Sequence, residues 1–229
     1  MFPALKALGH TGRLHELRAL HDRTHLAVLF VALPATAGLL ALAPEIIGVL
    51  FEHGQFGPEG TARTARCLRA LALALIPAGA AGLIGRTYFA LGDFRTPVRV
   101  SIWMMGLNLV LNAVLLAGLG LDVEGLGLAT AAVSWTNVLV LLPGLLRRLP
   151  AGPEAVPVGP RALRLVVTGA AAGLAAFATE RACSGPLGEA PALFAAIAAS
   201  VMVYVALAHL LRAPELGHVL ARISSARKG

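Results

Sequence analysis

The chain has 229 residues, 57% of them hydrophobic and only 14% charged, with a mean hydropathy of +0.77. A water-soluble domain of this size carries about 25% charged residues, so twelve acids and nineteen Lys/Arg are too few to cover a solvated surface. A net charge of +7 and a pI near 10.7 do not mark a nucleic-acid binder, because the basic residues flank apolar runs and no recognition fold or motif is present.

Crossing a hydrocarbon core roughly 30 Å thick takes about 20 apolar residues in a helix. In chain order, the predicted spans begin with residues 26–44, which continue past Glu45 to Phe51, and residues 70–91, broken only by Arg86. Residues 100–121 and 125–146 follow, both uncharged, with Asp122 and Glu124 between them. The fifth span, 165–179, is shorter, and Arg161 and Arg164 can snorkel to lengthen it. The sixth is 190–211. Backbone polar groups in lipid must be satisfied within each segment, which predicts helices, and the patterning lacks the period of two of a membrane barrel. The expected fold class is therefore an all-α polytopic membrane bundle. Its segments are a helix end and linker (1–25), four spans (26–148), a linker (149–164), two spans (165–211) and a basic tail (212–229).

Small residues supply the expected helix contacts: Gly79, Gly82 and Gly85 recur at every third position, and Gly169 and Gly173 form a GxxxG pair. Basic residues set the orientation. Lys6, Arg13, Arg18 and Arg23, then Arg95 and Arg99, then Arg147, Arg148, Arg161 and Arg164, and finally Arg212, Arg222, Arg227 and Lys228 fall on one side. Only Arg63, Arg66, Arg69 and Arg181 fall on the other. The positive-inside rule places both termini in the cytoplasm. In the tail, Leu216, Val219, Leu220 and Ile223 line one face and suit either a helix on an anionic leaflet or a frayed end. Residues 1–6 lack the pattern of a cleavable secretory signal.

Few residues point to chemistry. His21 and His25 stand at i and i+4, a spacing that can present two metal ligands, but no third ligand is near, so a solvated helix accounts for them and no metal is expected. Cys67 and Cys183 form no disulfide framework. There is no nucleophile–base pair, carboxylate pair, phosphate loop or dinucleotide fingerprint, so neither an enzyme nor a cofactor is expected. Polar residues within the spans carry more information. Ser101, Asn108 and Asn112 share a face of the third span, and Thr130, Ser134 and Asn137 share a face of the fourth. Such groups either hydrogen-bond between helices or line a hydrated cavity. Arg86 is the one strong cation inside a span, placed either to snorkel or to meet a ligand. The candidate binding residues are Arg86, Asn108, Asn112 and Asn137.

Several ordered stretches resemble landmarks of the MurJ/MviN lipid II flippase family. They are Phe2-Pro3-Ala4-Leu5, Ala32-Leu33-Pro34-Ala35 and Leu50-Phe51-Glu52-His53-Gly54-Gln55-Phe56. The stretch Arg86-Thr87-Tyr88-Phe89-Ala90-Leu91-Gly92-Asp93-Phe94-Arg95-Thr96-Pro97-Val98 is similar to that family's R-x-F-Y-A-L-G-D-x-R-T-P-V signature. Asn108-Leu109-Val110-Leu111-Asn112 and Glu124-Gly125-Leu126-Gly127-Leu128-Ala129-Thr130 extend the likeness, which runs over about residues 1–150. The resemblance implies the multidrug/oligosaccharidyl-lipid/polysaccharide exporter fold, fourteen spans in two lobes, with these six as the ninth to fourteenth. It also implies transport of an undecaprenyl-diphosphate-linked peptidoglycan precursor across the bacterial inner membrane. Membrane lipids and, if it is separately encoded, the N-terminal half of the transporter are then the expected partners. One departure is Gly82, where family members often carry Lys. The chain is expected to be a C-terminal portion that does not transport by itself; the alternatives are part of a related polysaccharide-lipid or multidrug exporter, or a non-transporting membrane assembly subunit.

Overall fold

The computed structural model describes residues 2–211; the tail residues Arg212, Leu216, Val219, Leu220, Arg222, Ile223, Arg227 and Lys228 lie outside them. The described residues fold into seven helices: α1 (Phe2–His10), α2 (Leu14–Phe51), α3 (Pro58–Ala90), α4 (Arg95–Ala113), α5 (Val123–Arg148), α6 (Val158–Leu187) and α7 (Glu189–Leu210). Helix α4 ends in a π-helical turn, Val114–Gly118. Six of the helices are long and apolar enough to cross a membrane, which bears out the all-α, six-span expectation. Hydropathy understates their length. The uncharged run starting at Leu26 belongs to a 38-residue helix that begins at Leu14, and the short fifth span lies inside a 30-residue helix. Polar and charged residues at the ends extend these helices beyond the stretch that lipid alone requires.

The described residues form two compact units, one from those up to Val28 together with Ala70–Val158, the other from Leu29–Arg69 together with the described residues from Gly159 onward. In the first, Leu5, Leu17, Ile84, Tyr88, Val138, Leu141, Leu145 and Leu149 make the core. Helix α1 seats closely because Gly9 has no side chain; a Cβ there would overlap the Ala90 carbonyl. Gly79 packs on Val28 in the same way, since its Cβ would lie 2.7 Å from the Val28 side chain. Gly82 and Gly85 face open space instead, so only the first of the three spaced glycines makes a helix contact.

In the second unit, α6 crosses α2 at the GxxxG pair. A Cβ on Gly173 would stand 2.9 Å from the Ala37 Cβ, and one on Gly169 would stand 3.2 Å from the Leu33 Cβ. Leu42, Ala176, Leu193 and Ala196 continue this small-residue packing. Lipid tails are as apolar as leucine, so close van der Waals contact is what holds helices together in the membrane.

Prolines explain three side-chain hydrogen bonds that otherwise look unrelated. A proline inside a helix removes the N–H that would bond the carbonyl four residues earlier, and an orphaned carbonyl in lipid is costly. Pro34 frees the Phe30 carbonyl, which accepts a 2.7 Å bond from the Tyr204 hydroxyl. Pro44 frees that of Leu40, which accepts from Arg69 Nε at 3.0 Å. Pro77 frees that of Leu73, which accepts from the Trp135 indole at 3.2 Å. Each of these three breaks is thus completed by a donor from elsewhere in its own unit.

Candidate functional site

The polar residues of α4 and α5 sit in the first unit, where the two helices pack against each other. Asn108 and Asn112 lie one turn apart on α4, and Asn112 Nδ2 donates to Asn108 Oδ1 at 2.9 Å. That bond leaves Asn112 Oδ1 buried without a partner, and Asn137 Oδ1 on α5 is buried and unpartnered too. The hydroxyls beside them are satisfied within their own helix: Thr130 donates to the Leu126 carbonyl at 2.9 Å and Ser134 to the Thr130 carbonyl at 2.8 Å. Of the two possibilities for these polar faces, interhelical hydrogen bonding is therefore not the one adopted among the described residues. Two amide oxygens remain as acceptors facing no donor, an arrangement that costs about 1–3 kcal/mol each unless water or a ligand occupies it.

Arg86 stands apart from the asparagines. It is exposed near the C-terminal end of α3, with no hydrogen bond or ion pair among the described residues. The structure thus brings Asn108 and Asn112 together, and no hydrogen bond links them to Asn137 or Arg86.

The signature stretch after Arg86 folds into a junction whose role the sequence does not reveal. Gly92 adopts φ 77°, a left-handed conformation that favours glycine, and turns α3 into α4. Asp93 then accepts from the Thr96 backbone N–H at 2.9 Å and the Thr96 hydroxyl at 2.7 Å. Arg148, at the end of α5, donates to Asp93 Oδ2 at 2.6 Å and lies over the Tyr88 ring. The Thr96 bonds and the Arg148 guanidinium hold the Asp93 carboxyl at about 2, below its ordinary 3.8. The Tyr88 hydroxyl reaches the Leu141 carbonyl at 3.0 Å, where Gly144 leaves room for it.

A second polar chain corrects the reading of residues 21–25 as a solvated helix face. His21 and Asp22 are buried, at 1% and 5% exposure, and so is Thr87. The one Thr87 hydroxyl proton goes to the Leu83 carbonyl at 2.9 Å. The 2.9 Å contact between His21 Nδ1 and Thr87 Oγ1 is therefore an N–H donated by the imidazole. Arg18 closes the arrangement, donating to Asp22 at 2.8 Å and to the Leu149 carbonyl at 3.1 Å. The alternation of charged and apolar residues over 14–25 was the available signal, but only tertiary pairing shows which of them turn inward. Cys67 and Cys183 are both free.

Similarity to known proteins follows the same stretches. The sequence model of the family described as lipid II flippase MurJ matches residues 1–195. A probable lipid II flippase MurJ of Rickettsia prowazekii is 30% identical over 110 residues, covering 48% of this chain and 21% of that protein. One from Bdellovibrio bacteriovorus is 28% identical over 221 residues, covering 96% of this chain and 42% of its own length. Among solved structures, a lipid II flippase MurJ in an inward closed conformation aligns with a TM-score of 0.72 at 22% identity, over 90% of this chain and 41% of that one. The chain thus spans less than half the length of these relatives. Since the family model covers most of the sequence and the helical fold agrees, the chain belongs to the lipid II flippase MurJ family.

Proposed function

We propose that this chain supplies the C-terminal portion of a transporter that moves an undecaprenyl-diphosphate-linked peptidoglycan precursor from the inner to the outer leaflet of the bacterial cytoplasmic membrane. The family match over residues 1–195 is the observation that carries the reading. In it both termini are cytoplasmic, as the distribution of basic residues favours, and the N-terminal half of the transporter completes the translocation path.

The physical problem is to carry a diphosphate and a sugar–peptide headgroup through a layer that excludes both. A hydrated cavity between two lobes lowers that barrier, and rocking of the lobes exposes it to each side in turn. Moving negative charge outward across an inside-negative membrane is favourable by about 2.3 kcal/mol per charge per 100 mV. In this reading Arg86 offers its exposed guanidinium to the diphosphate. The buried oxygens of Asn112 and Asn137 accept from sugar hydroxyls or peptide N–H groups, and Asn108 holds Asn112 in place through their 2.9 Å bond.

A chimera tests this directly. The chain replaces the matching portion of the Bdellovibrio relative, in cells depleted of their own flippase, and precursor reaching the outer leaflet is measured. Restored export is expected, falling about tenfold or more with Arg86→Ala, the loss of one charge-assisted hydrogen bond. A chimera that inserts normally yet exports nothing would contradict the proposal.

A further inference from the structure

The outward face of α4 combines features that the transport reading leaves unused. Pro97 is the only residue of this helix that is fully buried among the described residues. Along the opposite stripe lie Arg95, Arg99, Trp103, Gly106 and Val110, at helical spacing and all exposed; Trp103 is 76% exposed and Val110 58%. Phe94, Val98 and Ile102 flank the stripe and are also exposed. A Cβ at Gly106 would meet nothing within 4 Å, so the stripe is open beyond Trp103.

Among the described residues, charge balance leaves the two arginines without an ion pair, as it does Arg86 and Arg147. The acids at this end of the unit already have cationic partners: Glu16 with Arg13, Asp22 with Arg18, Glu154 with Arg23 and Asp93 with Arg148. Arg95 and Arg99 have neither a hydrogen bond nor an ion pair among the described residues. Two guanidiniums about 6 Å apart along the axis therefore stand unneutralised at the end of a membrane-spanning helix. Trp103 follows about 6 Å further in, the depth at which an indole prefers the boundary between headgroup and hydrocarbon. Beyond it the stripe is wholly apolar. The order cation, cation, indole, apolar surface matches the order of groups in a lipid that carries a phosphate, an ester and a chain.

We propose that the Arg95–Arg99–Trp103 stripe binds an anionic glycerophospholipid. Its phosphate lies between the two guanidiniums, an ester carbonyl accepts from the Trp103 indole N–H, and an acyl chain runs along Gly106 and Val110. A soluble phosphate would use only the arginines and leave the apolar half of the stripe bare. A polypeptide on this face would have to supply its own carboxylates to the arginines and would cover Trp103 completely.

The test uses the full chain in phosphatidylcholine nanodiscs, with Trp135→Phe so that Trp103 is the remaining one of the two tryptophans. Equal small fractions of phosphatidylglycerol or phosphatidylcholine, each brominated on its acyl chains, are introduced, and quenching of Trp103 is compared. Preferential quenching by the anionic lipid is expected, with an association preference of about fivefold for each arginine. The preference should vanish in Arg95→Gln/Arg99→Gln and persist in Arg95→Lys/Arg99→Lys. Equal quenching by both lipids, or a preference that survives the double glutamine variant, would overturn the proposal. Trp103 shielded from both lipids would also overturn it, showing that a polypeptide covers the face.

Discussion

In the unit that contains Leu29–Arg69, helices meet where side chains are missing: Gly169 and Gly173 of α6 lie directly on Leu33 and Ala37 of α2. In the unit that contains Ala70–Val158, the contacts are often polar and specific: Asp93 with Thr96 and Arg148, His21 with Thr87, Tyr88 with the Leu141 carbonyl. The first kind of contact depends on shape, tolerates no added volume and does not respond to pH. The second depends on protons and charge, and it surrounds the helices that carry the unpartnered asparagines.

The sharpest way to break the contrast is to add volume at matched glycines. Gly173→Ile should destabilise the chain by about 3 kcal/mol, near the top of the range for overpacking, because its Cβ would already press on Ala37. Gly85→Ile, on α3 with nothing within 4 Å, should change stability by less than about 0.5 kcal/mol. Thermal unfolding in detergent compares them, and equal costs would remove the packing explanation.

Smaller effects are expected at the proline breaks. Tyr204→Phe orphans the Phe30 carbonyl in a buried place and should cost about 1–2 kcal/mol. Trp135→Phe orphans the Leu73 carbonyl next to a side chain that is 43% exposed, and should cost less. The reverse order, measured by the same melts, would show that these donors do not complete the interrupted helices.

Acid separates the units by a different route. The Asp93 carboxyl sits at about 2 in the folded chain against an ordinary 3.8, so it stabilises the fold above the higher value. That contribution is lost as pH falls from 3.8 towards 2. Melting temperatures of the native chain should fall over this window, and the fall should be shallower in Asp93→Asn. An identical acid profile in the variant would place the sensitivity elsewhere.

The smallest change in stability is expected at the candidate site itself. Asn112→Leu removes a buried oxygen that has no partner but also the donor to Asn108 Oδ1, so the two effects offset and stability should change by less than about 1 kcal/mol while export by the chimera falls. Lost stability with intact export would make Asn112 a structural residue.

The six helices were legible in the sequence because lipid imposes one solution on long uncharged segments. Their ends were less so, since residues 14–25 mix charges with leucines, and only the pairing of His21 with Thr87 and of Arg18 with Asp22 explains why His21 and Asp22 are buried there. The asparagine pair was legible as a shared face, from its spacing alone. Which hydroxyls turn back on their own helix, as Thr130 and Ser134 do, depends on rotamers that spacing does not encode. The stretch at residues 86–98 was legible as a family signature without its physical role: Asp93 needs Arg148, some fifty residues away in sequence. Proline capping was equally hidden, because Pro34 names the orphaned carbonyl but nothing local names Tyr204 as its donor.

The central claim, that the asparagine faces of α4 and α5 border water within the membrane, is tested most directly by cysteine accessibility in the chimera. With Cys67 and Cys183 replaced by serine, single cysteines are placed at Asn112, Asn137 and Leu109, and their reaction with a membrane-impermeant thiol reagent is timed. Fast labelling at 112 and 137 with slow labelling at the exposed apolar position 109 is expected. Labelling at 109 that matches or exceeds the other two would contradict it.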